Sequence, residues 1–179
     1  MAEDGPDLDK AYSLKTPDDN IALYESWAGT YDQDFAERMD YQLPRHVADY
    51  FKRYKTVNGA VLDVANSKGL YRDTIVGDLT KPLSIEDDTY DAIISSGTFT
   101  HGHVGPHVLD ELLRISKKGA LFVLSINAQH FVSHGFKVKF DQLKTVIDAF
   151  ALHTVSIYGS CEDRDHQRDE GHIAVFKKA

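Results

Sequence analysis

The chain has 179 residues, of which 42% are hydrophobic and 11% aromatic, a composition that predicts one globular domain with a single core. Its formal net charge of −8 argues against nucleic acid as the main partner, because phosphate binding depends on Lys and Arg. No apolar run approaches the roughly 18 residues that a membrane span requires. The first ten residues match no secretory or transit signal, and the single cysteine, Cys161, permits no internal disulfide. A cytoplasmic location is therefore expected.

The amino-terminal part is predicted to be a tail followed by helices. Residues 1–15 are acidic and polar and are expected to form a flexible tail, which leaves residues 16–179 as the domain. A helix is predicted to begin at Thr16, which can cap it, with Pro17 in the first helical position. A second helix is predicted from Pro44 to about Lys55.

Strands and helices then alternate along the chain. The predicted strands are Ala60–Val64, Thr74–Asp78, Tyr90–Ser96, Ala120–Ile126, His153–Tyr158 and His172–Lys177. The predicted helices are Pro106–Ser116, closed by Lys117, Lys118 and Gly119, and Lys139–Phe150. This alternation predicts an α/β fold with a doubly wound, mostly parallel sheet. The last two strands have no helix between them and are expected to form an antiparallel pair at one edge.

Ligands of such sheets gather at the carboxyl ends of the strands, so the residues there are the candidates for function. They are Asp63–Ala65, Asp78-Leu79, Ser95–Gly97 and Ile126-Asn127.

Five segments carry a resemblance to a known family. They are Tyr24–Asp32 (YESWAGTYD), Val61–Ala65 (VLDVA), Gly69–Tyr71 (GLY), Tyr90–Gly97 (YDAIISSG), and Leu109–Arg114 with Gly119–Leu121. In this order they resemble the class I S-adenosylmethionine-dependent methyltransferases, and among these the group typified by the Williams–Beuren-region methyltransferase. The resemblance covers roughly residues 20–127.

The resemblance implies S-adenosylmethionine as the cofactor and methyl transfer to a small molecule or a protein side chain as the reaction. The positions that it implies for cofactor binding are Tyr31, Asp63, Val64, Ala65, Asp78, Leu79, Ser96 and Gly97. Two alternatives in which these residues have structural roles and bind no ligand stay open. Asp63 could be a strand-end acid that caps the next backbone amides, and Tyr31, like Trp27, could be a core or lid aromatic.

The chain departs from the family pattern after the first strand. In the family, the segment like Leu62–Ala65 continues into a glycine-rich loop, a helix and a second strand that ends in the ribose-binding acid. Here the nine residues Ala65–Asp73 lead directly to Thr74–Asp78, whereas a parallel crossover usually needs a dozen or more. The sequence therefore predicts a methyltransferase-like chain that lacks about one βαβ unit. A splice variant, a diverged paralogue and a gene-model error would each produce it.

Two functional hypotheses follow from this departure. One is a methyltransferase whose activity is impaired by the missing cofactor loop. The other is a catalytically inactive binding or regulatory relative, or a truncated isoform.

The segment after the strand Tyr90–Ser96 contains three histidines, His101, His103 and His107. Zinc sites need three or four converging ligands, usually with Cys or a carboxylate among them, so no metal site is predicted. His101 and His103 are predicted to line the acceptor pocket as catalytic residues, where a histidine could take a proton from the attacking oxygen or nitrogen. A solvated loop is the alternative.

Overall fold

The computed structural model describes residues 13–14, 19, 23, 39–55, 58–64, 71–160 and 166–179. The helices within these ranges are α1 (Leu43–Tyr54), α2 (Val108–Arg114), α3 (Ala128–Ser133) and α4 (Phe136–Leu143). The strands are β1 (Val61–Asp63), β2 (Tyr90–Phe99), β3 (Ser116–Asn127), β4 (Ile147–Ser156) and β5 (Glu170–Lys178). Most of the predicted tail, and most of the helix predicted from Thr16, lie outside the described residues.

The five strands form one sheet in the order β1-β2-β3-β5-β4. Strands β1, β2 and β3 are parallel neighbours, and β5 is antiparallel to both β3 and β4. This confirms the predicted α/β fold, with its mostly parallel sheet and its antiparallel pair at one edge. None of the helices among these residues is long and apolar enough to cross a membrane.

Helices cover both faces of the sheet. On one face, Leu43 and Val47 of α1 pack in a core cluster with Val123 of β3 and Val175 of β5. On the other face, α2 and α4 pack over a second cluster that contains Phe122 and Phe176, whose rings stack with centroids 4.6 Å apart. Side chains of β3 thus enter both clusters, which explains why the sequence of this central strand is a continuous apolar run.

The predicted strand Thr74–Asp78 is wrong. These residues have no strand structure, and the side chains of Ile75 and Val76 are exposed. A strand here would have required nine residues to run back along β1, which is too short for a parallel crossover. Instead β1 pairs directly with β2, and the whole of residues 64–89 forms the connection.

The predicted helix Lys139–Phe150 is wrong in its second half. Helix α4 ends at Leu143, and β4 begins at Ile147 and pairs with β5. The apolar spacing that favoured a helix is also compatible with a turn followed by a strand, and pairing with β5 decides between them. The short helix α3 was not predicted.

Lys117, Lys118 and Gly119 do not close the helix before them. Helix α2 ends at Arg114, and the three residues lie at the start of β3, where its pairing with β2 is irregular. Gly119 still has a positive φ of 79°, which is the conformation that the sequence predicted for a glycine there.

Candidate functional site

The carboxyl ends of β1 and β2 are joined through the main chain of Val64. Its N–H donates to the carbonyl oxygen of Ile94 over 2.9 Å. Its carbonyl oxygen accepts hydrogen bonds from the hydroxyls of Ser95, at 3.0 Å, and Thr98. Val64, one of the predicted cofactor positions, therefore lies at the junction between the two strands.

Gly97 lies near the carboxyl end of β2 in a conformation that favours glycine. Its φ is +81°, and its N–H donates to the hydroxyl of Ser125 over 3.1 Å. A Cβ atom at this position would lie 3.2 Å from the hydroxyl oxygen of Tyr41. A side chain at this position would therefore be strained, because of the backbone angle and because of Tyr41.

Ser96 has a buried hydroxyl for which the described residues provide no hydrogen-bond partner. It follows Ala92 and Ile94 on the face of the sheet that α1 covers, since alternate residues of a strand share a face. A buried polar atom without a partner is unusual, and one at a strand end is a candidate ligand contact. Ser96 thus has, at a strand end, a buried hydroxyl without a partner among the described residues, as expected of a residue on the floor of a ligand pocket.

Asp63 ends β1, and its carboxylate accepts a hydrogen bond from the hydroxyl of Tyr71. Burial raises the pKa of Asp63, and the bond from Tyr71 opposes this effect. The same bond, together with burial and the charge of Asp63, raises the pKa of Tyr71 to about 12. Neither of the two sequence interpretations of Asp63 named Tyr71 as its partner.

Asp78 and Leu79 lie in the connection between β1 and β2, in different environments. The carboxylate of Asp78 is exposed, accepts bonds from the N–H and hydroxyl of Thr80, and pairs with Lys81 at 2.8 Å. The bonds from Lys81 and Thr80 lower the pKa of Asp78. Leu79 is half-buried and packs against the core cluster that contains Phe122. Asp78 therefore forms a local turn, and Leu79 contributes to the core.

His101 and His103 lie in the loop that follows β2. Burial lowers the pKa of His101, although a hydrogen bond with Gln129 partly offsets this effect. Burial also lowers the pKa of His103. Both imidazoles are therefore neutral near pH 7, the form that can accept a proton.

Two further histidines lie beside this loop and were not singled out from the sequence. Asn127 ends β3, and its side-chain oxygen accepts bonds from the N–H groups of Gln129 and His130, which makes it the cap of α3. His130 and His134 thereby lie beyond the end of β3, and the rings of His130 and His101 have centroids 6.3 Å apart. The sequence contained one signal for the position of His130. Asn127 is a preferred N-cap residue, and a cap there places residue 130 in the first helical turn.

The structure does not gather these side chains into a metal site. Among the described residues, no three His, Cys, Asp or Glu side chains are arranged to hold a metal ion. Of the predicted site residues, Tyr31 and Ala65 lie outside the described part of the chain, as does Cys161.

An open groove of about 380 Å³ lies at the opposite end of the sheet. Its lining residues include Asp110, Arg114 and Lys178. Each of these charges is already paired: Asp110 with Lys139, Arg114 with Glu111, and Lys178 with Asp88. These three charged side chains are therefore engaged within the protein, and the groove is not formed by the carboxyl ends of the parallel strands.

Comparison with known proteins finds one family model that matches part of the chain. Residues 42–124, from the start of α1 to within β3, match the family model described as a methyltransferase domain. Among curated proteins, none matches the chain at a significant level.

Three solved structures have a similar fold. The PH0226 protein of Pyrococcus horikoshii OT3 is 17% identical, with a TM-score of 0.53 over 88% of this chain and 99% of its own. A protein of Methanococcus maripaludis, assigned as an S-adenosyl-L-methionine-dependent methyltransferase, is 15% identical, with a TM-score of 0.53 over 100% of this chain and 97% of its own. An S-adenosylmethionine-dependent methyltransferase of Thermotoga maritima is 14% identical, with a TM-score of 0.53 over 87% of this chain and 98% of its own.

The residues present fit an S-adenosylmethionine site only in part. Val64, Ser96 and Gly97 lie at the strand ends, and the partnerless hydroxyl of Ser96 is available to a ligand. Asp63, however, is bonded to Tyr71, and Asp78 is held in an exposed turn. Among the described residues, Ser96 and Gly97 thus match the predicted strand-end positions, whereas Asp78, the predicted adenine-binding acid, is held in a turn by Thr80 and Lys81.

The residues that match the family model lie in the parallel half of the sheet. The matched residues contain α1, β1, β2, α2 and most of β3, which are the elements that form the parallel half of the sheet. Residues 42–124 thus have the sequence pattern of a methyltransferase domain, and the sheet that contains them has the Rossmann-like fold of the S-adenosylmethionine-dependent methyltransferases.

Proposed function

We propose that the chain is a class I S-adenosylmethionine-dependent methyltransferase-like protein whose methyl transfer is impaired by the loss of its cofactor loop. The observation that carries this proposal is the connection between β1 and β2. Over the part that the structure describes, residues 71–89, this connection contains no helix and no strand, and the carboxylate of Asp78 within it is held by Thr80 and Lys81. The remaining residues 65–70 contain one glycine, which is too few for a glycine-rich loop.

We also propose that this short connection results from the loss of a segment. The chain lacks about one βαβ unit relative to the group of the Williams–Beuren-region methyltransferase. An alternative transcript, a diverged gene and a gene-model error predict different genomic or transcript sequences. Reading the exon boundaries around codons 64–69 separates a diverged gene from the other two, because only these leave the missing segment in the genome beside a junction; sequencing of the transcript then separates a true variant from a gene-model error.

The acceptor is a small molecule or a protein side chain in this proposal, and no nucleic acid is expected because the net charge is −8. The single cysteine supports a cytoplasmic location. When it is bound, S-adenosylmethionine supplies an activated methyl group, so the protein mainly has to align donor and acceptor and exclude water. His101 and His103, neutral near pH 7, would accept the proton that the attacking atom loses.

Isothermal titration calorimetry with S-adenosylmethionine and with its demethylated product tests the proposal. We expect no binding at micromolar concentrations of either compound. A micromolar dissociation constant would contradict the impairment and would restore an ordinary methyltransferase as the better description.

The second candidate is a catalytically inactive relative with a binding or regulatory role. The bond between Tyr71 and Asp63 favours it, because this bond engages a predicted cofactor acid within the chain itself. Incubation with radiolabelled cofactor and a cell extract separates the two candidates. Label transferred to any acceptor supports a slow enzyme, and its absence at high protein concentration supports the inactive relative.

A further inference from the structure

Four histidines, named here the histidine cluster, lie together beyond the carboxyl ends of β2 and β3. His101 and His103 belong to the loop of residues 100–107, and His130 and His134 belong to α3 and the turn after it. The ring of His130 lies between two of the others, with centroid distances of 3.9 Å to His134 and 6.3 Å to His101. Their sequence separation shows that the fold, and not a local motif, brings them together.

His130 is the buried member of the cluster, and its one hydrogen bond determines its protonation. Its side chain is completely buried, and its Nε2 lies 3.0 Å from the carbonyl oxygen of Val104. A carbonyl oxygen can only accept, so Nε2 carries the proton and Nδ1 of the neutral ring has a lone pair. Nδ1 is also buried, and no described residue forms a hydrogen bond with it.

Protonation of His130 in this position would be doubly unfavourable. It would place a charge in a buried site, and it would create an Nδ1–H group without an acceptor. Burial lowers the pKa of His130 from 6.5 to about 4, while the bond to Val104 raises it in part. The charges of His134, His101 and His103 lower it further.

The other titratable groups around the cluster act on its neighbours. Asp169, whose carboxylate binds Nδ1 of His166 at 2.9 Å, raises the pKa of His101. His172 of β5 stands edge-on to Phe131 with centroids 5.0 Å apart, and Glu170 raises its pKa against the effect of burial. The charged groups that act on His130 itself are the three other histidines of the cluster. Nothing in this set stabilises a cation at His130.

The bond between His130 and Val104 connects α3 to the loop of residues 100–107. Within the loop, the N–H of His103 donates to the carbonyl oxygen of Thr100 at 3.1 Å, and a side-chain bond between His101 and Gln129 also joins the loop to α3. We infer that the contact between the buried His130 ring and the loop of residues 100–107 is an acid-sensitive latch: a protonated ring is stable only in water, so protonation favours a form in which the loop has left α3 and the ring is exposed, while the sheet stays folded. The released loop exposes His101 and His103 and the end of β2. The latch depends on the burial of His130 and on its contact with the loop, and it is independent of methyltransferase activity.

The latch predicts a definite pH dependence. The closed form has a His130 pKa of about 4, and the open form has the ordinary value of 6.5. By proton linkage, the equilibrium constant for opening should rise roughly 30-fold between pH 7.5 and pH 5. Ordinary carboxylates remain mostly ionised at pH 5, so acid unfolding through Asp and Glu does not account for such a change.

Amide hydrogen exchange, corrected for the intrinsic pH dependence of exchange, tests the latch in the wild-type protein. We expect the amides of residues 100–107 to be less protected than those of β3 and β5 at pH 7.5. We expect them to lose protection by roughly 30-fold at pH 5, in line with the linkage calculation. If the loop and the sheet share one protection factor at both pH values, only global unfolding occurs and the latch is wrong.

Two variants separate His130 from other causes. His130→Gln retains an amide N–H that can reach Val104 but does not titrate, so its loop should lose clearly less protection at pH 5 than the wild-type loop, since only His101 and His103 then take up protons on opening. His153→Gln is the control, because His153 also has a buried ring nitrogen without a partner among the described residues, but the residue is only half-buried and its ring faces Tyr50 of α1 at 4.7 Å. This control should show the full wild-type change.

A loop that opens equally in His130→Gln and in the wild-type protein would overturn the inference. Should His130→Gln fail to fold, nuclear magnetic resonance of the wild-type protein decides. The loop amide shifts must then follow the titration of the His130 ring, and loop shifts with a different midpoint would reject the latch.

Discussion

The hydroxyl of Tyr71 donates a hydrogen bond to the carboxylate of Asp63, the last residue of β1. The bond ties the exposed connection after β1 back to the end of the strand. The bond favours the ionised carboxylate of Asp63 and the neutral phenol of Tyr71, since a phenol beside a carboxylate loses its proton with difficulty. Asp63, one of the predicted cofactor positions, is therefore engaged by a side chain of the same molecule.

Replacement of Asp63 should change the titration of Tyr71. In Asp63→Asn, we expect the pKa of Tyr71 to fall from about 12 towards its ordinary value of 10.0, because the amide carries no charge that opposes the phenolate. The pair stabilises the folded protein below pH 10, and this contribution is lost as the pH rises towards 12. Tyrosinate absorbance, with the curve of Tyr71→Phe subtracted, measures the shift.

Asp49→Asn, on the exposed surface of α1, is the control for this titration and should leave Tyr71 unchanged. An identical Tyr71 midpoint in Asp63→Asn and in the wild-type protein would show that the bond does not form in solution.

Gly97 should tolerate a side chain less well than Gly119. Both have a positive φ, +81° and +79°, but only a Cβ at Gly97 meets a neighbour, the Tyr41 hydroxyl at 3.2 Å. We expect Gly119→Ala to cost about 1 kcal/mol of unfolding free energy, from the backbone angle alone, and Gly97→Ala about 1 kcal/mol more. Urea unfolding measures both values.

The variant Tyr41→Phe tests the cause of the extra destabilisation. In this background the difference between Gly97→Ala and Gly119→Ala should shrink, because the hydroxyl is absent. A difference of the same size in both backgrounds would exclude the contact with Tyr41.

Elements with a local signal were predicted well from the sequence. Helix α1 has Pro44 near its start, and Lys52 and Arg53 in its last turn favour its carboxyl end. The apolar run of β3 is buried on both faces of the sheet and can hardly be anything but a central strand. In each case the information is contained in neighbouring residues.

Elements that depend on distant partners were predicted poorly. Thr74–Asp78 has the composition of a strand, but a strand needs a free sheet edge that the chain can reach, and nine residues do not reach it. The residues from Ile147 to Phe150 fit a helical spacing, yet pairing with β5 makes them a strand. Neither fact can be read from the segment itself.

In the candidate site, too, features with a local sequence signal were predictable, and contacts between distant residues were not. His101 and His103 follow a recognisable strand, so their position at the end of β2 was predictable. The contact of His130 with Val104 depends on the parallel placement of β2 beside β3, and the bond of Tyr71 to Asp63 depends on how the connection folds back. The cofactor roles of all eight predicted positions remain predictions, and two of these residues, Tyr31 and Ala65, lie outside the described ranges.

Arg114 should be necessary for the connection between β1 and β2. Its guanidinium binds the Glu111 carboxylate at 2.6 Å and the carbonyl oxygens of Ile85 and Leu83 at 2.9 and 3.1 Å. We expect Arg114→Met to lower the unfolding free energy by about 2 kcal/mol, because charge-assisted bonds are lost and Glu111 keeps an unpaired charge. Urea unfolding measures the loss, and limited proteolysis should cut the variant first within residues 83–87.

Lys137→Met is the matched control for Arg114→Met. It removes an ion pair with Asp141 at 3.1 Å, in which the lysine side chain is 80% exposed. Such a pair contributes less than about 0.5 kcal/mol. Equal losses in the two variants would mean that Arg114 is an ordinary surface residue.

Acid should destabilise the folded protein through His130. The folded-state pKa of about 4 lies below the ordinary 6.5, so the unfolded chain binds more protons between these values, and stability falls as the pH drops from 6.5. At about 1.4 kcal/mol for each pKa unit, the loss by pH 4 is at most about 3 kcal/mol. Lowered pKa values at His101, His103 and His172 act in the same direction. The raised pKa of Asp63 acts against them, because its protonated form is favoured in the fold.

A urea unfolding series from pH 7.5 to 4.5 measures this dependence. His130→Gln should give a flatter curve than the wild-type protein below pH 6.5, because one titrating group is gone. His153→Gln should follow the wild-type slope. Parallel curves for His130→Gln and the wild-type protein would show that His130 is protonated equally in the folded and unfolded states, and hence that its ring is not buried as a neutral group.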